Sequence, residues 1–139
     1  MLTRHSLALQ EAKALSAAAE QAAGTLGVQV SIVIVDSTTY AQVVVRMDGA
    51  PLMSAQGAFD KARTAAEGGH PTSFFEKPLN AGRYSMLKLP HTPIEGGVPV
   101  FVSGECVGAI GIAGAPPHLD AQIAESAIES FLKSYGDNR

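Results

Sequence analysis

The sequence predicts an α+β domain: a central antiparallel β-sheet built from two hairpins, with flanking helices. Three observations predict it. Val28–Asp36 and Ala41–Met47 are β-type runs joined by the polar turn Ser37-Thr38-Thr39-Tyr40, and Val98–Val102 and Cys106–Ala113 are joined by Ser103-Gly104-Glu105. Short polar turns between β-branched runs mark antiparallel hairpins. Three stretches with apolar residues at helical spacing surround them. The resulting order (helix, hairpin, helix, long irregular stretch, hairpin, helix) lacks the β-α-β alternation of a parallel, doubly wound sheet.

The elements follow in chain order. Met1–Ala8 reads as a loose lead-in, with Thr3 or Ser6 as caps. Leu9–Ala23 is rich in strong helix formers, and Leu9, Ala12, Leu15, Ala19 and Ala22 share one face. Gly24 and Gly27 bracket its end. After the first hairpin, Asp48-Gly49-Ala50-Pro51 stops the strand. Ser54 then caps a helix over Ser54–Glu67, whose mostly alanine face (Ala55, Ala58, Phe59, Ala62, Ala65, Ala66) implies a close approach to the sheet or to another helix. Gly68-Gly69 ends it.

His70–Glu95 holds Pro71, Pro78, Pro90 and Pro93 and shows little periodicity beyond a helical turn near Ser73–Lys77. A long irregular segment in a small domain is functional or disordered; here it reads as a wall or lid over a pocket. Gly96-Gly97 opens the second hairpin. Gly108, Gly111 and Gly114 mark bulges, bends or close approach by a backbone or ligand. Leu119–Tyr135 is the last helix, with Asp120 in its first turn where a carboxylate suits the helix dipole, and Gly136–Arg139 is a tail.

Composition narrows the function classes. At 139 residues, 46% hydrophobic and 17% charged, the chain is one globular domain over 1–139. A net charge of −3 without a basic cluster gives no reason to expect a nucleic-acid partner. No run reaches the ~18 apolar residues of a membrane span, and the first residues lack the order of a signal peptide, so a cytoplasmic setting is expected. Cys106 is the single cysteine and reads as a small buried hydrophobe.

Several segments together carry a family resemblance: VSIVIVD at 30–36, RMDGA at 46–50, KARTA at 61–65, Pro71-Thr72, GGVPV at 96–100, VGAIGIAGA at 107–115, and Asp120 with Ile123-Ala124. In this order they resemble the GlcG/HbpS family, the haem-degrading-domain family that also includes the C-terminal domain of PduO-type proteins. The resemblance implies a profilin-like sheet with helices around it, a homo-oligomer, and haem or a related tetrapyrrole as cofactor. The chain departs from the family pattern at the hydroxyl-rich turn Ser37–Tyr40 and at Lys88–Glu95, and no matched motif assigns a haem-ligand histidine.

The residues themselves supply candidates for a small-molecule ligand. Arg46 and Asp48 are two apart at a strand end and so share a face, able to clamp a carboxylate or hydroxyl, or merely to fix the turn. Lys61 and Thr64 share a face of the second helix; Lys61 either binds an anion or carbonyl or lays its stem over apolar surface with its charge in water. The amides of Gly96 and Gly97 can hold an oxyanion, or serve turn geometry alone. Of the four histidines, His91, just before the Gly-Gly turn, is the best acid/base or ligand candidate and His70, between Gly69 and Pro71, a lesser one; His5 reads as frayed and His118 as a surface or interface residue. No histidine spacing suggests a metal site.

Three functions stay open at this point. The first is a ligand-binding protein for haem or another flat, carboxylate-bearing molecule, using Arg46, Asp48, Lys61, Thr64, His91, Gly96 and Gly97. The second is an enzyme acting on a small carbonyl or hydroxy compound, with His91, Asp48, Lys61 and Tyr40 moving protons and stabilising charge. The third is a non-catalytic oligomeric accessory module.

Overall fold

The computed structural model describes residues 1–137. Its elements are α1 (Leu9–Leu26), β1 (Ser31–Asp36), β2 (Ala41–Arg46), α2 (Ser54–Gly68), α3 (Ser73–Asn80), a 3-10 helix (Tyr84–Lys88), β3 (Gly97–Val102), β4 (Glu105–Ala113) and α4 (Pro117–Asp137). The four strands form one antiparallel sheet in the order β2-β1-β4-β3. Both hairpins are present, joined through β1 and β4 at the sheet centre.

Successive strand residues point to opposite faces, and here both faces are covered. Ile32, Ile34, Val100, Ile110 and Ile112 pack with Leu15 and Ala19 of α1 and Ile123, Ala127 and Phe131 of α4. Val33, Val35 and Ala109 pack with Ala58, Ala62 and Ala65 of α2. The result is three layers, α1 and α4, then the sheet, then α2. This arrangement explains why Ile32–Val35 in β1 is apolar without alternation: all four residues are buried, on both faces.

The alanine face of α2 meets glycines on the sheet. A Cβ on Gly111 would stand 1.9 Å from the Ala58 carbonyl oxygen and 2.6 Å from the Ala62 nitrogen. A Cβ on Gly97, the register partner of Gly111, would stand 2.2 Å from the Lys61 carbonyl oxygen. The glycine steps of β3 and β4 thus admit helix backbone.

Several boundaries differ from expectation. α1 runs through Gly24 to Leu26, and Gly27, at φ +70°, is its left-handed C-cap. Its N-cap is Ala8, not Thr3 or Ser6; the Glu11 carboxylate accepts from the Ala8 N–H at 2.8 Å. The lead-in is tied down, with the Leu7 N–H donating to Val107 O and the Ser37 N–H to Ser6 Oγ. Ser54 does not cap α2: its hydroxyl bonds Pro51 O and Ser31 Oγ, and Met53 holds the cap position. The turn expected near Ser73–Lys77 is a full helix to Asn80 that contains Pro78, and the 3-10 helix follows it. Gly136 and Asp137 belong to α4; the rest of the expected tail, 138–139, lies outside the described residues.

Candidate functional site

The sequence-predicted residues fall into three separate places around α2. On its inner side, at the ends of β3 and β4, Lys61 is 5% exposed. Its ammonium donates to Asp120 Oδ2 and to Ile112 O, each at 3.0 Å. Asp120, 1% exposed, also accepts from the Ala115 N–H at 3.1 Å. Burial pushes the Asp120 carboxyl above its ordinary value, against the pull of Lys61 and the Ala115 amide. Gly96 lies over this pair: at φ +132° its missing Cβ would stand 2.8 Å from Lys61 Nζ. Thr72, fully buried, accepts from the Gly97 N–H at 2.9 Å, and its own N–H donates to Gly97 O. Lys61, Gly96 and Gly97 therefore come together, but in a packed cluster with Asp120 and Thr72 rather than around a cavity.

On the outer side of α2, His91 and Thr64 meet in a crevice of about 290 Å³, lined also by Asp60, Arg63, Leu89, Pro90 and Thr92. The Thr64 hydroxyl donates to Asp60 O at 2.7 Å and accepts from the Thr92 N–H at 2.9 Å. His91 presents its ring edge-to-face to Phe75, centroids 5.1 Å apart. Both its ring nitrogens are shut off from solvent without a hydrogen-bond partner. An imidazole ordinarily uses one nitrogen as donor and the other as acceptor. Tyr40 stands beyond Arg63, in a smaller crevice of about 180 Å³ with Thr39, Phe59 and Glu67. Arg63, which reaches Glu67 at 2.9 Å, borders both spaces.

Arg46 and Asp48 lie at the far edge of the sheet, both exposed, and no ion pair joins them. The four acid/base candidates are thus distributed: Lys61 is enclosed, His91 and Tyr40 flank Arg63, and Asp48 stands apart.

Residues not singled out as site candidates from the sequence build a further groove. α3 and the 3-10 helix form a flap with no buried residue of its own. A groove of about 620 Å³ opens in it, walled by Pro71, Phe74, Pro78 and Met86, with Ser73, Lys77 and Arg83 as its polar members. His70 stacks on Phe74 at 4.0 Å and 10°. The available signal was the pairing of aromatics with Lys77 and Arg83 within an irregular segment. Pro78 concealed the helix that arranges them.

A cavity of about 400 Å³ lies on the opposite side of the sheet, beneath the N-terminal strap, lined by Leu7, Val102, Phe131, Tyr135 and polar neighbours. At its rim His5 Nδ1 lies 2.8 Å from Glu105 Oε2, and the His5 N–H donates to Oε1. These bonds hold the Glu105 carboxyl below its ordinary value. His5 is therefore a clasp residue rather than frayed. Among the described residues no three His, Cys, Asp or Glu side chains are grouped to hold a metal ion, and no helix is long and apolar enough to cross a membrane.

The family described as haem degrading protein HbpS-like matches residues 7–129. The protein GlcG of Escherichia coli strain K12 is 38% identical over 114 residues, covering 81% of this chain and 85% of GlcG. A double mutant of HbpS from Streptomyces reticuli superposes with a TM-score of 0.86 at 35% identity, over 94% of this chain and 90% of that one. PduOC, solved as a haem complex, superposes with a TM-score of 0.81 at 29% identity, over 90% and 94% of the two chains.

Proposed function

Since the chain belongs to the HbpS-like family, we propose that it is a small ligand-binding protein that takes haem or another flat molecule bearing carboxylates, seated in the groove of the α3 flap. The observation that carries this reading is the lining of that groove. Pro71, Phe74, Pro78 and Met86 offer apolar walls, and Lys77 and Arg83 add two cations to the lining. Its size of about 620 Å³ lies within the ~300–1,000 Å³ of small-molecule sites. Few polar groups among apolar walls is the usual composition of such sites.

The donor set fits haem. The apolar walls suit the macrocycle, Lys77 and Arg83 suit two carboxylates, and the thioether of Met86 is a known type of iron ligand. PduOC was crystallised with haem, which supports the same ligand class here. When bound, haem supplies a redox-active iron. The chain's own residues seat the ring, neutralise its acidic groups and limit the water around it.

The test is a haemin titration followed in the Soret band. The expected result is a saturable shift for the wild type, and at least a tenfold weaker one for Lys77→Glu combined with Arg83→Glu. A titration without saturation would refute the haem reading; equal affinity in the double variant would move the ligand out of this groove.

A further inference from the structure

Resting on the haem reading above, we propose that His91 supplies the imidazole that binds the haem iron, and that the strap Leu89–Thr92 is the piece of chain that delivers it. The observation is the state of the ring. Nδ1 and Nε2 are both buried and both unpartnered, whereas nearly all buried polar side-chain atoms have a partner. A side chain kept in this condition has both lone-pair and N–H capacity unspent. A ligand that takes one nitrogen would relieve it.

The ring is also connected to the proposed seat. His91 meets Phe75 edge-on at 5.1 Å, Phe75 meets Phe74 at 5.3 Å, and Phe74, a wall of the groove, stacks on His70 at 4.0 Å. One continuous run of rings therefore leads from the His91 crevice to the groove. The strap continues directly from the 3-10 helix that carries Met86, another groove wall.

Little holds the strap down. Among the described residues its hydrogen bond to α2 is the one from the Thr92 N–H to Thr64 Oγ1, at 2.9 Å. The His91 N–H bonds within the strap, to Leu89 O at 2.8 Å, and the Leu89 N–H reaches Met86 O at 3.4 Å. Leu87 and Leu89 are largely exposed. Lifting the strap breaks the bond to α2 and the edge contact with Phe75, opens the crevice over Thr64, and frees two nitrogens that the present form leaves unsatisfied. His70 and Met86 are the competing iron ligands near the groove. His70 is already stacked on Phe74, and Met86 sits in the groove wall without needing the strap.

The experiment is the ferric haem spectrum of the full chain, compared with His91→Phe, Met86→Leu and His70→Ala. His91→Phe keeps an aromatic against Phe75, and its far-UV circular dichroism checks that it folds. The expected result is a saturable Soret shift in the wild type, in Met86→Leu and in His70→Ala. In His91→Phe the band should move and the affinity fall at least tenfold, with added free imidazole restoring the wild-type band. An unchanged spectrum and affinity in His91→Phe would overturn the role of His91 while leaving haem binding intact. A wild type without a saturable shift would remove the haem reading and this proposal together.

Discussion

Lys61 and Asp120 form an ion pair sealed inside the protein, Nζ to Oδ2 at 3.0 Å, with side chains 6% and 1% exposed. Lys61 belongs to α2 on one face of the sheet, and Asp120 to the first turn of α4, which packs on the other. The pair fastens the outer layers together past the end of β4. Removing one partner leaves a buried charge alone, which costs about 3–5 kcal/mol. Lys61→Ala should therefore lower unfolding free energy by about that amount in urea. The double substitution Lys61→Met with Asp120→Leu should cost less than the single one. A single-variant loss below about 1 kcal/mol would show that the pair is not a fastening.

The same pair sets a pH dependence. Burial raises the Asp120 carboxyl above its ordinary 3.8. In the window between 3.8 and the raised value, the folded protein keeps a proton that the unfolded chain has released. Stability from this group is thus complete below 3.8 and declines as pH climbs through the raised value. Carbon-13 titration of the Asp120 carboxyl should give a midpoint above that of a free aspartate; a midpoint at or below it would contradict the burial argument.

Glu105 carries the opposite sign. Its hydrogen bonds from His5 lower its carboxyl below the ordinary 4.5. The clasp is complete above 4.5 and is lost as pH falls through the lowered value. His5→Ala should return the Glu105 midpoint toward 4.5 and speed amide exchange at Leu7, whose N–H bonds Val107 O. An unmoved Glu105 midpoint would show that the clasp does not persist in solution.

Two glycines should respond in opposite directions to alanine. At Gly111 a methyl would meet the backbone of Ala58 and Ala62. Backbone cannot rotate away, so Gly111→Ala should cost more than the ~1–3 kcal/mol usual for overpacking. At Gly24, inside α1, nothing lies within 4 Å of a new Cβ. Gly24→Ala should stabilise by about 0.5–1 kcal/mol through lower chain entropy. Equal melting temperatures for the two variants would refute the close approach of α2.

His91→Phe should raise the stability of the ligand-free protein. Replacing an unsatisfied buried polar group by an apolar one of similar shape removes a burden of about 1–3 kcal/mol. Thermal unfolding without haemin tests it, and a melting temperature well below that of the wild type would mean the ring nitrogens have partners.

Much of the fold is legible in the sequence because the strands announce themselves. SIVIV and VGAIGIA sit between turn formers, and the observed strands match the expected runs to within a few residues. The alanine face of α2 also reads correctly as close packing. Other features depend on partners distant in sequence. Ser54 resembles a helix cap but spends its hydroxyl on Pro51 and Ser31. His5 looks unanchored until the β3–β4 turn brings Glu105 beside it. Arg46 and Asp48 satisfy strand alternation on paper, yet β2 ends at Arg46, so Asp48 no longer follows the strand. The groove was hidden for a related reason: Pro78 interrupts the local pattern of α3, and the lining residues Lys77, Arg83 and Met86 have no periodicity in common.

β1 has a hydrogen-bonded neighbour on either side and a helical layer on either face. Its amides can trade hydrogen for deuterium only when the whole molecule comes apart. The flap of α3 and the 3-10 helix, with nothing buried, trades through small local excursions. In one labelling time course the chain therefore carries its own two clocks. The slow one in Ile32–Val35 reads global stability, and the fast one in Ser73–Lys88 reads local opening of the flap. A ligand that seats on the flap would slow the second by a far larger factor than it slows the first.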